Sequence, residues 1–125
     1  MQIAICDDDA LIVEQLQKYL EQYFRKHHLS CPKTQHFSSG DALLSDMNEK
    51  DLVFLDVEMP GMSGIETLDA IRAKSECAEL PIAFLSASEN MEQAVANGEY
   101  AVQGFIKKPF LPQKLYESVD AFFVS

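Results

Sequence analysis

The chain has 125 residues, the size of one domain with one core. It is 47% hydrophobic and 24% charged, and its 20 acidic residues against 10 basic ones leave a formal net charge of −10, which argues against binding nucleic acid or an anionic membrane through this chain. The three cysteines, Cys6, Cys31 and Cys77, lie far apart with no C-x-x-C spacing, so neither a disulfide framework nor a zinc site is supported and a reducing cytoplasm is the expected compartment.

The N-terminus, Met1-Gln2-Ile3-Ala4, lacks the basic n-region of a signal peptide. No apolar run approaches the roughly 20 residues of a membrane span. Ile3 to Cys6 is a short apolar run, the expected first strand, and it ends in Asp7-Asp8-Asp9. From Ala10 the period changes. Leu11, Ile12, Leu16, Tyr19, Leu20, Tyr23 and Phe24 recur at helical spacing, with Asp9 as the expected N-cap. Arg25, Lys26, His27 and His28 put positive or titratable charge at the far end, where the helix dipole favours it. Adjacent His27 and His28 would not face one ligand from a helix. With His36 they read as surface histidines.

Cys31 to Phe37 contains Pro32 and fits an edge strand. Ser38-Ser39-Gly40-Asp41 opens a short helix carrying Ala42, Leu43, Leu44 and Met47 and ending near Asn48. Leu52 to Leu55 reads as a strand buried on both faces, and it runs directly into Asp56. Taken alone, Asp56 is as well explained by a turn as by chemistry. After Pro60-Gly61, Ser63 and Glu66 form a capping box for a helix through Ile65, Leu68 and Ile71 to about Lys74. Pro81 to Leu85 is the fourth strand, followed by Ser86-Ala87-Ser88. Glu89 to Asn97 is a largely polar helix, with Gly98 as its C-cap. Val102 to Ile106 is the fifth strand, interrupted by Gly104, and Lys107-Lys108-Pro109-Phe110 follow. The last helix starts at Pro112 and buries Leu115, Val119 and Phe122. Five βα units with short connections imply a parallel sheet covered on both faces. The partly apolar end, Phe122-Phe123-Val124-Ser125, reads as a cut before a linker, with a natural end as the alternative.

In such a sheet the carboxyl ends of adjacent strands face one crevice. Those ends carry Asp7 and Asp8, then Asp56, then Ser86, then Lys108 just beyond the fifth strand. Close carboxylates repel, and a hard divalent cation with oxygen ligands offsets that repulsion. Mg2+, or Mn2+ in its place, suits a site with few carboxylates. Together with the Lys108 ammonium it would stabilise a transferring phosphoryl group. Asp56 is then placed as a nucleophile that forms an acyl phosphate, and Ser86 adds a donor for the anion.

Over essentially its whole length the sequence resembles the receiver domain of two-component response regulators. The motifs that carry the resemblance are Asp7-Asp8, Asp56 with Met59-Pro60-Gly61 and Gly64, Ser86-Ala87, and Lys108-Pro109-Phe110. The resemblance implies a flavodoxin-like, doubly wound (βα)5 fold with strand order 2-1-3-4-5. It implies that Asp56 takes a phosphoryl group from a sensor histidine kinase, or slowly from a small acyl phosphate. Beyond self-phosphorylation and autodephosphorylation it implies no enzyme activity. Asp8, the Asp56 side chain and the Glu58 backbone carbonyl would hold the metal, with Asp7 helping through water. Lys108 would bind a phosphoryl oxygen. Ser86 would swing toward it, helped by the Ala87 N–H, and Phe105 would follow. The change would reach helix four, strand five and helix five, a face that could also form a homodimer.

Ser86 stands where Thr is frequent in the family, and Phe105 lacks the tyrosine hydroxyl, so a switch through it works by packing alone. Glu58 and Ser88 would flank the path of hydrolytic water and tune phosphoryl lifetime. Lys107 reads as a solvent-facing charge on the alternation of strand faces. Ile3 to Asp8 looks like receivers joined to LytTR-type DNA-binding domains. The expected output is therefore transcription, through a DNA-binding domain absent from this chain. One alternative is a stand-alone receiver acting through protein contacts. Another is a Mg2+-dependent phosphatase of the haloacid-dehalogenase type, which places a second Asp where this chain has Glu58. A flavodoxin-like cofactor module would need a phosphate loop where Asp7-Asp8-Asp9 would repel phosphate.

Overall fold

The apolar runs that end at Cys6, Asp56 and Ser86 become central strands because helices cover both of their faces. The computed structural model describes residues 1–123. The elements are β1 (Gln2–Cys6), α1 (Ala10–Lys26), β2 (Lys33–Phe37), α2 (Gly40–Leu44), β3 (Leu52–Asp56), α3 (Gly64–Arg72), a 3₁₀ turn (Ser75–Cys77), β4 (Ile82–Ser86), α4 (Glu89–Ala96), β5 (Gly104–Lys107) and α5 (Pro112–Phe123). All strand pairs are parallel, in the order β2-β1-β3-β4-β5, as the resemblance implies.

Strand alternation divides the core in two. Ile3, Ile5, Leu52, Phe54, Ala83 and Leu85 face α1 and α5, where Leu16, Leu20, Leu115 and Val119 meet them. Ala4, Cys6, Val53, Leu55, Ile82 and Phe84 face the other way, onto Leu43 of α2 and Leu68 and Ile71 of α3. Each such large side chain, fully buried, contributes about 1.5–3 kcal/mol. The helices start where their caps demand. Asp9 accepts from the Leu11 N–H, Ser39 from Ala42 and Ser88 from Met91. Ser63 and Glu66 form the reciprocal capping box. At its end, α3 is tied to the sheet by Arg72, whose guanidinium donates to the carbonyls of Cys77, Leu80 and Ala101.

The fifth strand differs from its expected bounds of Val102 to Ile106. It runs from Gly104 to Lys107, so Gly104 opens the strand instead of interrupting it. A Cβ on Gly104 would sit 3.1 Å from the Phe122 ring, so the missing side chain makes room for α5. Val102 is held in a tight turn by a bond from its N–H to the Tyr100 carbonyl. Other expected ends are longer by a few residues: β2 starts at Lys33, not Cys31, and α2 stops at Leu44, short of Asn48. α4 has no fully buried residue, consistent with its thin apolar stripe. Of the chain end singled out in the sequence, Val124 and Ser125 lie outside the described residues. No described helix is long and apolar enough to cross a membrane.

Candidate functional site

Register brings the strand-end residues together. Cys6 pairs with Leu55, so Asp7 and Asp56 each follow at the same level. Asp56 pairs with Leu85, and Ser86 pairs with Lys107. The Lys108 N–H then donates to the Ser86 carbonyl. Alternation separates the two lysines. Lys107 turns toward α4, where its ammonium lies 3.4 Å from Glu89 and 3.9 Å from Glu92. Lys108 turns inward, with Nζ 2.7 Å from Asp7 Oδ2 and 3.1 Å from Asp56 Oδ1.

Asp7 and Asp56 are buried, whereas Asp8 is exposed at the rim. One oxygen from each of these carboxylates lies within 4.8 Å of the others. Burial, then the Asp7 charge, push the Asp56 carboxyl up to about 7; Lys108 opposes this and Glu58 adds to it. Burial alone would lower the Lys108 ammonium, but Asp7 and Asp56 outweigh it and hold the group above its ordinary value. Asp7 Oδ1 accepts from the Asp9 N–H at 2.9 Å. Its Oδ2 is held by the charge of the Lys108 ammonium, 2.7 Å away. Among the described residues nothing donates to the Glu58 carbonyl. Three clustered carboxylates, two of them buried with a single ammonium between them, and an unused carbonyl fit a hard cation that takes oxygen ligands.

Three further contacts surround this site, and two of them, Ser86 with Glu58 and His36 with Asp7, have no local signal in the sequence. The Ser86 hydroxyl donates to the Glu58 carboxylate, at 2.8 Å to Oε1 and 3.0 Å to Oε2. The Ser88 N–H donates back to Ser86 Oγ at 3.0 Å, so Ser88 both caps α4 and braces Ser86. His36, exposed on the edge strand, has Nε2 3.0 Å from the Asp7 carbonyl. His27 caps the far end of α1, 3.9 Å from Asp120, so the histidines form no common site. Phe105 is half-buried, packed on the α4 side of the core, and it lines a cleft of about 430 Å³ with Lys107, Leu111, Lys114 and Ser118. Cys6, Cys31 and Cys77 are free thiols. Burial first, with Asp7 and Asp56 adding, pushes the Cys6 thiol up to about 12, which makes it inert.

The family described as response regulator receiver domain matches residues 3–120. The chain belongs to that family. The receiver is 32% identical over 125 residues to chemotaxis protein CheY-3 of Vibrio cholerae serotype O1, covering 98% of this chain and 92% of that protein. It is 32% identical over 120 residues to transcriptional regulatory protein YvrH of Bacillus subtilis, covering 95% of this chain but 47% of the relative. In fold it is similar to response regulator DrrB of Thermotoga maritima, with a TM-score of 0.78 at 26% identity, covering 98% of this receiver and 52% of that chain. Receivers of this family thus occur both as nearly whole proteins and as halves of longer regulators.

Proposed function

We propose that this receiver takes a phosphoryl group onto Asp56 from the phosphohistidine of a sensor histidine kinase. The observation that carries the reading is the position of Lys108, whose ammonium lies 3.1 Å from Asp56 and 2.7 Å from Asp7, close to a buried serine hydroxyl. An ionised Asp56 oxygen attacks phosphorus, the P–N bond breaks, and the leaving imidazole takes up a proton. Lys108 holds the phosphoryl oxygens. Ser86, buried at the end of β4, supplies a further donor. Asp8, Asp56 and the Glu58 carbonyl would hold Mg2+ or Mn2+, with Asp7 assisting. The cation supplies charge neutralisation at the phosphoryl oxygens when bound. Water attacking the same phosphorus returns Asp56 and releases phosphate, so the protein turns over only its own phosphoryl group.

Ser86 and the half-buried Phe105 would carry the change toward α4, β5 and α5. The cleft beside Phe105 supports that face as the surface read by a partner or a second copy. Glu58 and Ser88, in contact with Ser86, tune phosphoryl lifetime in this reading. The acidic balance supports an output through protein contacts, with any contact to DNA made by a further domain. The buried free thiols Cys6 and Cys77 support a cytoplasmic setting. The test is intact-mass measurement after incubation with a small acyl phosphate and Mg2+. One phosphoryl group per chain is expected, and none on Asp56→Ala. Equal labelling of the variant would refute the assignment.

A further inference from the structure

Phosphoryl transfer as read above leaves the Glu58 side chain without a task in the resting protein, yet its carboxylate accepts the hydrogen bond of the Ser86 hydroxyl. Ser86 is fully buried, whereas Glu58 is exposed and reaches inward from the turn after β3. A serine hydroxyl has one proton to give. The Ser88 N–H occupies one lone pair of Oγ, so the hydroxyl is held between a donor and an acceptor, with its proton aimed at Glu58. A phosphoryl group on Asp56 that is bound by Ser86 needs the same proton. It also brings negative charge beside a carboxylate. The two anions compete for one donor and repel each other.

We propose that Glu58 is a latch on Ser86: its carboxylate occupies the donor direction of the hydroxyl in the resting state, and phosphorylation must displace it. The latch rests on the reading of Asp56 as phosphoacceptor. A hydrogen bond to an ionised acceptor is stronger than a neutral one. The exposed Glu58 regains water when it swings out, so the contact biases the switch without locking it. Glu58 acts through Ser86, as a positioning residue.

The experiment follows phosphorylation by a small acyl phosphate with Mg2+, read by intact mass. It compares the parent, Glu58→Ala, Ser86→Ala and the double variant. Glu58→Ala is expected to gain its phosphoryl group about tenfold faster than the parent, and that gain should vanish in the Ser86→Ala background. The Ser88 amide resonance of unphosphorylated Glu58→Ala should also move toward its position in the phosphorylated parent, a readout that needs no turnover. Equal rates for the parent and Glu58→Ala would overturn the latch. So would the same gain with Ser86 absent, which is the signature of charge repulsion alone. No phosphoryl group on any of the four proteins would overturn the Asp56 reading, and the latch with it.

Discussion

The Lys108 ammonium lies 2.7 Å from Asp7 Oδ2, closer than the 3.1 Å that separates it from Asp56. Lys108 therefore neutralises the first strand's carboxylate at least as much as the third strand's. Without a metal, this one cation holds two buried carboxylates together. Removing it leaves charge buried and unpaired, a change that commonly costs several kcal/mol.

Lys108→Met should accordingly destabilise the metal-free protein by about 2 kcal/mol, less than a fully buried pair would lose because the ammonium keeps some solvent contact. The same substitution should tighten Mg2+ binding, since it deletes a positive charge that competes with the cation. Urea midpoints in EDTA and calorimetric Mg2+ titration check the two halves separately. Weaker Mg2+ binding in the variant would contradict the competition.

Asp56 predicts a pH dependence. Its carboxyl is raised from 3.8 to about 7, chiefly by burial and then by Asp7. Between those values the folded chain holds a proton that the unfolded chain releases. The contribution to stability is complete below the ordinary carboxylate value and is lost as pH rises through about 7. In EDTA, the parent should therefore lose stability relative to Asp56→Asn as pH rises from 4 to 8. At pH 8, Asp56→Asn should melt about 5 °C higher. A gap that does not change with pH would count against the shift.

Metal and proton should compete for the same carboxylates. Mg2+ affinity is expected to rise with pH through about 7, where Asp56 is half ionised, and to level off once its carboxyl has lost its proton. Saturating Mg2+ should raise the melting temperature, by the mass-action effect of about 2.7 kcal/mol at one hundred times the dissociation constant. Asp8 is exposed, so Asp8→Ala should fold normally and lose most of that increment. Full retention of the Mg2+ effect in Asp8→Ala would remove Asp8 from the ligand set.

Gly64 tests how closely the site depends on backbone packing. A Cβ there would lie 2.2 Å from the Asp56 carbonyl and 2.7 Å from Val57 Cα, both backbone atoms that cannot step aside. Gly64→Ala should cost about 2 kcal/mol and slow phosphorylation by displacing the end of β3. Gly61, with φ +76° and no neighbour near its added Cβ, should accept Asn at far smaller cost. Comparable losses at both positions would mean that strain, not the contact with Asp56, governs this loop.

What could be read in the residues alone was whatever repeats locally. Apolar runs ending in Asp7, Asp56 and Ser86, helical spacing after Asp9 and the Ser63–Glu66 box located most elements and the members of the site. Periodicity and capping are set within a few residues, so the chain carries them in plain order. The β5 boundary escaped because Gly104 answers to Phe122 of α5, eighteen positions away. The grip of Glu58 on Ser86, the contact of His36 with the Asp7 carbonyl and the bias of Lys108 toward Asp7 were equally hidden. Each joins residues from different strand ends, and only the parallel register of β2-β1-β3-β4-β5 brings those ends within hydrogen-bonding distance. The sequence named the charged groups, and the tertiary structure decided which of them share a proton or a charge.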